Sequence, residues 1–223
     1  MKKLIRIIAL ILAMMFVFAS CGKSTTSGDN TENETNGVND ITNMYGESSD
    51  TSVSGSTEHK RVKFTMENGM TFVIELYPEY APETVNNFVK LVSEGFYNGL
   101  TFHRVVDGFM AQGGDPNGDG TGGSKDKIQG EFASNGYKGN KLSHTRGVVS
   151  MARRSDSKNS ASSQFFICYA DSTFLDGDYA AFGMVVEGME TVDSFLEIER
   201  TIGNDRALSR PVTPIIIEKA EVI

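Results

Sequence analysis

Tryptophan is absent from this 223-residue chain, and cysteine occurs only at Cys21 and Cys168. Two cysteines cannot supply the disulfide framework of a small secreted fold. Lysine and arginine number 21 against 29 acidic residues, and they are scattered. A nucleic-acid surface needs at least a basic patch, so nucleic acid is not expected as a partner. The net charge of -8 favours solubility and carries no information about fold. His59, His103 and His144 are too dispersed to read as a metal-ligand cluster. The apolar run Ile7–Ala19 falls short of the ~20 residues that a membrane-spanning helix needs.

That run nevertheless has a purpose in sequence terms. Lys2, Lys3 and Arg6 form a positive segment ahead of it, as in an export signal. Phe18-Ala19-Ser20-Cys21-Gly22 closes it with small residues before a cysteine, which resembles the lipobox of bacterial lipoproteins. The expectation is a signal peptide over 1–20, removed ahead of a lipidated Cys21 that anchors the protein to a membrane outside the cytoplasm. Val17 and Phe18 depart from the usual leucine of that motif, and simple secretion with cleavage near Ser20 is the alternative. With Cys21 lipidated, Cys168 has no partner and reads as a small buried strand residue.

Residues 21–57 are rich in Ser, Thr, Asn, Gly and acids, with no apolar period. Such a segment cannot bury enough surface to offset the entropy of ordering, and it is expected to be a disordered tether. As a flexible coil of about 36 residues it reaches roughly 30–35 Å.

From residue 58 onward the pattern becomes that of one folded domain, 58–223. Val62, Phe64 and Met66 alternate, Asn68-Gly69 signals a hairpin, and Met70–Tyr77 reads as the return strand. Pro82 opens a helix whose stripe is Val85, Phe88, Val89 and Val92, with Gly95 at its end. Residues 147–152, 163–170, 180–186 and 213–223 read as further strands, and 189–199 as a second helix. The fold class expected is mainly β, a closed antiparallel barrel capped by two α-helices.

One stretch mixes chemistry with strand spacing: Phe102-His103-Arg104-Val105-Val106-Asp107-Gly108-Phe109-Met110-Ala111-Gln112-Gly113-Gly114-Asp115. Alternation places Met110 and Gln112 on one face. Asp107-Gly108 is expected to make a turn or bulge that resets the register after Arg104. A cation, an amide and apolar surface on one face suit an uncharged polar ligand with an apolar ring. Asp115-Pro116-Asn117-Gly118-Asp119-Gly120 opens like a calcium loop, with Asp126 at the closing position, but no helix enters it.

Further motifs follow in order: Gly120-Thr121-Gly122-Gly123, Ser150-Met151-Ala152, Ser163-Gln164-Phe165-Phe166-Ile167 and Phe174-Leu175-Asp176-Gly177. Together these resemble the cyclophilins, peptidyl-prolyl cis-trans isomerases, over nearly all of 60–223. The resemblance implies eight barrel strands, no cofactor, no metal, and proline-containing polypeptides as substrates; the oligomeric state is open, with a monomer as the default. It implies that Arg104 and Gln112 are catalytic, Arg104 facing the prolyl nitrogen and Gln112 holding Arg104 and touching the substrate backbone. Phe109, Met110, Phe166 and Leu175 would form the proline pocket, with Phe174 and Tyr179 at its edge. Ala152, Arg153 and Gln164 would line the path of the residues before proline. Phe174 stands where many relatives carry tryptophan, so an indole N–H donor used in binding cyclosporin is missing. The expected role is folding of exported proteins. A proline-binding module or chaperone with little turnover is the competing reading; it would need the pocket but not the cation.

Overall fold

The computed structural model describes residues 59–223. The signal segment 1–20, Cys21 and the tether up to residue 57 lie outside the described residues.

Strand β1 (Arg61–Met66) turns its alternate residues Val62, Phe64 and Met66 inward. The turn at Asn68-Gly69 returns the chain as β2 (Thr71–Leu76), and the Phe64 and Phe72 rings stack across the pair at 4.8 Å. Helix α1 (Pro82–Ser93) follows with proline in its first turn. Its own N-cap residue, Ala81, has no side chain that can serve the orphan amides. Buried Glu131 serves them instead. It accepts from the Glu83 and Thr84 amides at 3.0 and 2.8 Å and from the Thr84 hydroxyl at 2.7 Å. The apolar face of α1 presents Val85, Phe88, Leu91 and Val92 to the sheet, where Phe88 meets Tyr97, Phe165 and Phe182.

The remaining strands are β3 (Thr101–Val106), β4 (Met110–Asp115), β5 (Val148–Met151), β6 (Phe165–Cys168), β7 (Ala181–Glu187), β8 (Arg200–Ile202), β9 (Leu208–Pro211) and β10 (Ile217–Val222). Eight of them form one antiparallel sheet in the order β10-β1-β2-β7-β5-β6-β4-β3, and β8 pairs with β9 alone. The sheet curls around the core as a half-barrel. It is not the closed barrel expected from the sequence. Where β10 and β3 approach, the two strands are not paired to each other among the described residues; an isolated bridge, Thr101–Ile216, forms beside them. The Ile217 amide bonds the Leu100 carbonyl, and the Ala220 amide bonds the Asn98 side chain. A loop and a side chain thus occupy the edge groups that a closing ladder would need.

The second helix is also shorter than expected. α2 covers Met189–Ser194 and tightens into a 3-10 turn at Phe195–Glu197. Phe195 packs on Phe102 with ring centroids 4.9 Å apart. The β8–β9 hairpin is not among the strands expected from the sequence. Its apolar residues Ile202 and Leu208 are exposed, and its turn places Arg206, not a glycine, at φ 62°.

The Glu131 contact joins α1 to a loop 47 residues away. Glu131→Ala leaves two amides and a buried hydroxyl without that acceptor. It is expected to lower stability by about 1–3 kcal/mol in urea titration with an unchanged m-value.

Candidate active site

The site begins with a bulge. Phe102 pairs with Gly113 and Arg104 with Gln112, so His103 is the extra residue on β3. Without it, alternation would place Phe102 and Arg104 on the same face. With it, Phe102 and Val105 stay in the main core, while Val106 joins a second apolar cluster on the opposite face. The register shifts therefore lie at His103 on β3 and at Gly114 on β4, not at Asp107-Gly108 as the sequence suggested. Asp107-Gly108 makes the hairpin turn alone, with Gly108 at φ 68°, a conformation that favours glycine.

The same alternation divides β4 and β6. Ala111, Phe165 and Ile167 enter the core; Met110, Phe166 and Cys168 enter the second cluster with Leu175. Phe109, Ala152 and Tyr179 pack around that cluster. Met110, Phe166 and Leu175 form a buried floor, and Phe109 is half-buried at its rim. Phe174 stands out from it, 71% exposed, its ring 5.7 Å from that of Phe109. Tyr179 meets Phe166 edge-on at 5.9 Å. Burial pushes the Cys168 thiol up to about 12, so it is an inert packing group.

Cross-strand register sets Arg104, Gln112 and Phe166 in one row over β3, β4 and β6. The Arg104 guanidinium lies 5.9 Å from the Phe109 ring centroid. Its Nη1 is 3.4 Å from Gln112 Oε1 and 3.6 Å from Met110 Sδ. Gln112 Nε2 donates to Gln164 Oε1 at 2.8 Å, and Gln164 Nε2 donates to the Gly122 carbonyl at 2.7 Å. This amide chain tethers the row to the glycine-rich loop. A Cβ on Gly122 would fall 2.1 Å from Asp115 Oδ1, so only glycine lets the loop close there.

The closest polar contact of Arg104 comes from elsewhere. Its Nε donates to Asp205 Oδ2 at 2.6 Å, from the tip of the β8–β9 hairpin. No sequence motif gives Asp205 a role, because nothing local marks it and 101 residues separate the partners.

Arg153 and Arg154 lie beside this row, and their guanidiniums are engaged. Arg153 stands 4.6 Å over the Tyr179 ring and donates to the Asp178 carbonyl; Arg154 pairs with Asp156. A neighbouring cleft of about 350 Å³ includes Ala152, Arg153 and Gln164 in its lining. Asp115 is buried, and its carboxylate accepts the amides of Asn117, Asp119 and Gly120. Among the described residues no group of three or more His, Cys, Asp and Glu side chains is placed to hold a metal ion.

Behind the floor, buried His144 links the exposed Asp176 to buried Ser150. His144 Nδ1 meets Asp176 Oδ1 at 2.8 Å, and Nε2 meets Ser150 Oγ at 2.9 Å. The His144 ring stacks on Phe166, with centroids 6.0 Å apart. Burial holds the imidazole below its ordinary range, and the Asp176 carboxylate only partly opposes this. Ser150 and His144 are fully buried, so these two side chains brace the floor and are closed to substrate.

A family model for cyclophilin type peptidyl-prolyl cis-trans isomerases matches residues 61–222. The chain is 47% identical over 127 residues to peptidyl-prolyl cis-trans isomerase B of Bacillus subtilis, covering 57% of this chain and 84% of that protein. It is 43% identical over 152 residues to a peptidyl-prolyl cis-trans isomerase of Schizosaccharomyces pombe, covering 66% and 90%. A crystal structure of a Cryptosporidium parvum cyclophilin type isomerase superposes with a TM-score of 0.65 at 29% identity, covering 74% of this chain and 98% of that one. The same Cryptosporidium protein, crystallised in the presence of the dipeptide Ala-Pro, gives a TM-score of 0.64 at 30% identity, covering 73% and 98%.

Two desolvated imidazoles make stability pH-dependent. His144 and His103 both have imidazoles held low by burial, so the unfolded chain binds protons first on acidification. Stability should be full above about pH 6.5 and fall as pH drops below it, by at most about 1.4 kcal/mol per pH unit for each group. Urea titrations between pH 8 and 5 should show this slope, and His144→Gln should reduce it.

Proposed function

The chain belongs to the cyclophilin-type peptidyl-prolyl cis-trans isomerase family, and on that premise we propose that Arg104 drives rotation of the X-Pro amide over the apolar floor. Amide resonance sets a rotation barrier of about 18–20 kcal/mol. No covalent bond to carbon has to break, so neither a nucleophile nor a metal is required. The catalyst must favour the twisted amide over both planar forms. In the twisted state the nitrogen lone pair leaves conjugation and becomes a hydrogen-bond acceptor. A guanidinium N–H can donate to it, and each ~1.36 kcal/mol of preference gives a factor of ten in rate.

The observation that carries this reading is the cross-strand row. It sets one arginine, 30% exposed at its side chain, beside a floor of Met110, Phe166 and Leu175. The proline ring would sit on that floor, with Phe109 and Tyr179 at the rim and Phe174 beyond it. Gln112 would steady the substrate backbone. Ala152, Arg153 and Gln164 would face the residues before proline. A module that only binds proline segments would use the floor and have no need of the cation.

The setting we propose is the outer side of a bacterial membrane. The basic segment, the apolar run 7–19 and the small residues before Cys21 support a lipid-anchored protein. From there it would act on proline bonds of exported polypeptides as they fold, as a monomer on a tether of residues 21–57.

Two measurements address these readings. Arg104→Ala should lower the rate of isomerisation of an Ala-Pro peptide by at least about tenfold while the fold persists by circular dichroism; an unchanged rate would end the assignment of the cation. Cys21→Ser should move the protein from the membrane fraction to the soluble fraction. Failure of the wild-type chain to incorporate labelled fatty acid would exclude lipidation as the anchor.

A further inference from the structure

The β8–β9 hairpin contains none of the residues assigned to the site, yet its tip ends on Arg104. Asp205 Oδ2 receives the Arg104 Nε–H at 2.6 Å. The other carboxylate oxygen is committed to the hairpin itself. Oδ1 accepts the Ala207 amide at 3.0 Å and the hydroxyl of buried Ser209 at 2.7 Å. The turn is closed by the Gly203 amide on the Ala207 carbonyl and by the Arg206 amide on the Gly203 carbonyl. Asn204 Nδ2 donates to the Asp119 carbonyl at 3.0 Å, which fastens the tip to the glycine-rich loop. Asp205 is therefore a fixed acceptor and not a mobile surface acid. Burial opposes its ionisation. The hydrogen bonds from Arg104, Ser209 and the Ala207 amide outweigh that and hold its carboxyl below the ordinary range.

A guanidinium is planar and carries five N–H donors. Holding Nε on Asp205 and Nη1 beside Gln112 and Met110 fixes that plane. Among the described residues Nη2 has no hydrogen-bond partner, and its donors are uncommitted. A long arginine loses rotamer freedom each time it meets a transient transition state. Fixing the plane beforehand removes that loss from the reaction step.

We infer that Asp205 is a positioning residue for the isomerisation, its carboxylate holding Arg104 Nε so that the free guanidinium N–H groups meet the twisted prolyl nitrogen. The inference rests on the reading of Arg104 given above. It adds to the site a residue that touches neither the floor nor the substrate path and acts through the arginine.

The test is Asp205→Asn in the full chain, alone and combined with Arg104→Ala. The asparagine oxygen can keep the Ala207 and Ser209 contacts, and its amide then faces Arg104 Nε as a second donor. For an Ala-Pro peptide, kcat should fall about tenfold with KM within about twofold and the melting temperature unchanged. In the Arg104→Ala background the same substitution should change kcat by less than about twofold. If the hairpin tolerates Asp205→Asn poorly, Ser209→Ala loosens the carboxylate more gently. It should lower kcat about threefold, again only when Arg104 is present. Wild-type kcat in Asp205→Asn, or equal losses in both backgrounds, would overturn the inference. Full activity of Arg104→Ala alone would instead overturn the reading of Arg104, so the two failures are distinguishable.

Discussion

The extra residue at His103 is the constraint on which the site depends. A regular β3 would send Phe102 and Arg104 to one face, and one of them would be misplaced. The bulge lets Phe102 pack on Phe195 inside the curled sheet while Arg104 joins Gln112 and Phe166 outside it. The cost is visible at the bulge itself. Both buried His103 ring nitrogens are without a hydrogen-bond partner among the described residues. A bulge beside a functional row commonly re-aims a side chain in this way.

Two apolar clusters follow from the same period-two geometry. The larger fills the sheet and is closed by α1; the smaller, around Met110 and Phe166, is backed by the Asp176–His144–Ser150 relay. Strand β6 belongs to both, with Phe165 in one and Phe166 in the other. The floor and the core are therefore the two faces of one strand.

Around this floor the polar groups are arranged as a continuous chain. Asp205 meets Arg104, Arg104 meets Gln112, Gln112 meets Gln164, and Gln164 meets the glycine-rich loop. The loop in turn is drawn together by the buried Asp115 carboxylate. That use of Asp115 accounts for the acidic and glycine-rich letters that resemble a calcium loop. The positive charge of Arg153 and Arg154 is likewise absorbed locally, by Tyr179, by backbone carbonyls and by Asp156.

Much of this architecture is legible in the chain itself. Alternation at Val62, Phe64 and Met66, the Asn68-Gly69 turn and the stripe of α1 are local patterns with local causes. The run from Phe102 to Asp115, with Gln164 and Phe166 downstream, points to the family and to most of the row. What local pattern could not supply were the contacts made at long range. Whether the sheet closes was decided by Asn98 and Leu100 at the β10 edge. The cap of α1 came from Glu131, and the partner of Arg104 from Asp205. The β8–β9 hairpin that carries Asp205 hides from sequence because Ile202 and Leu208 face solvent and the left-handed position of its turn is taken by Arg206, which carries no such signal. The sequence by itself determined the elements and the chemistry of the row, since turn preference and strand alternation act over a few residues. Only the tertiary structure decided how the arginine is held, because a hydrogen bond across 101 residues leaves no period in the chain.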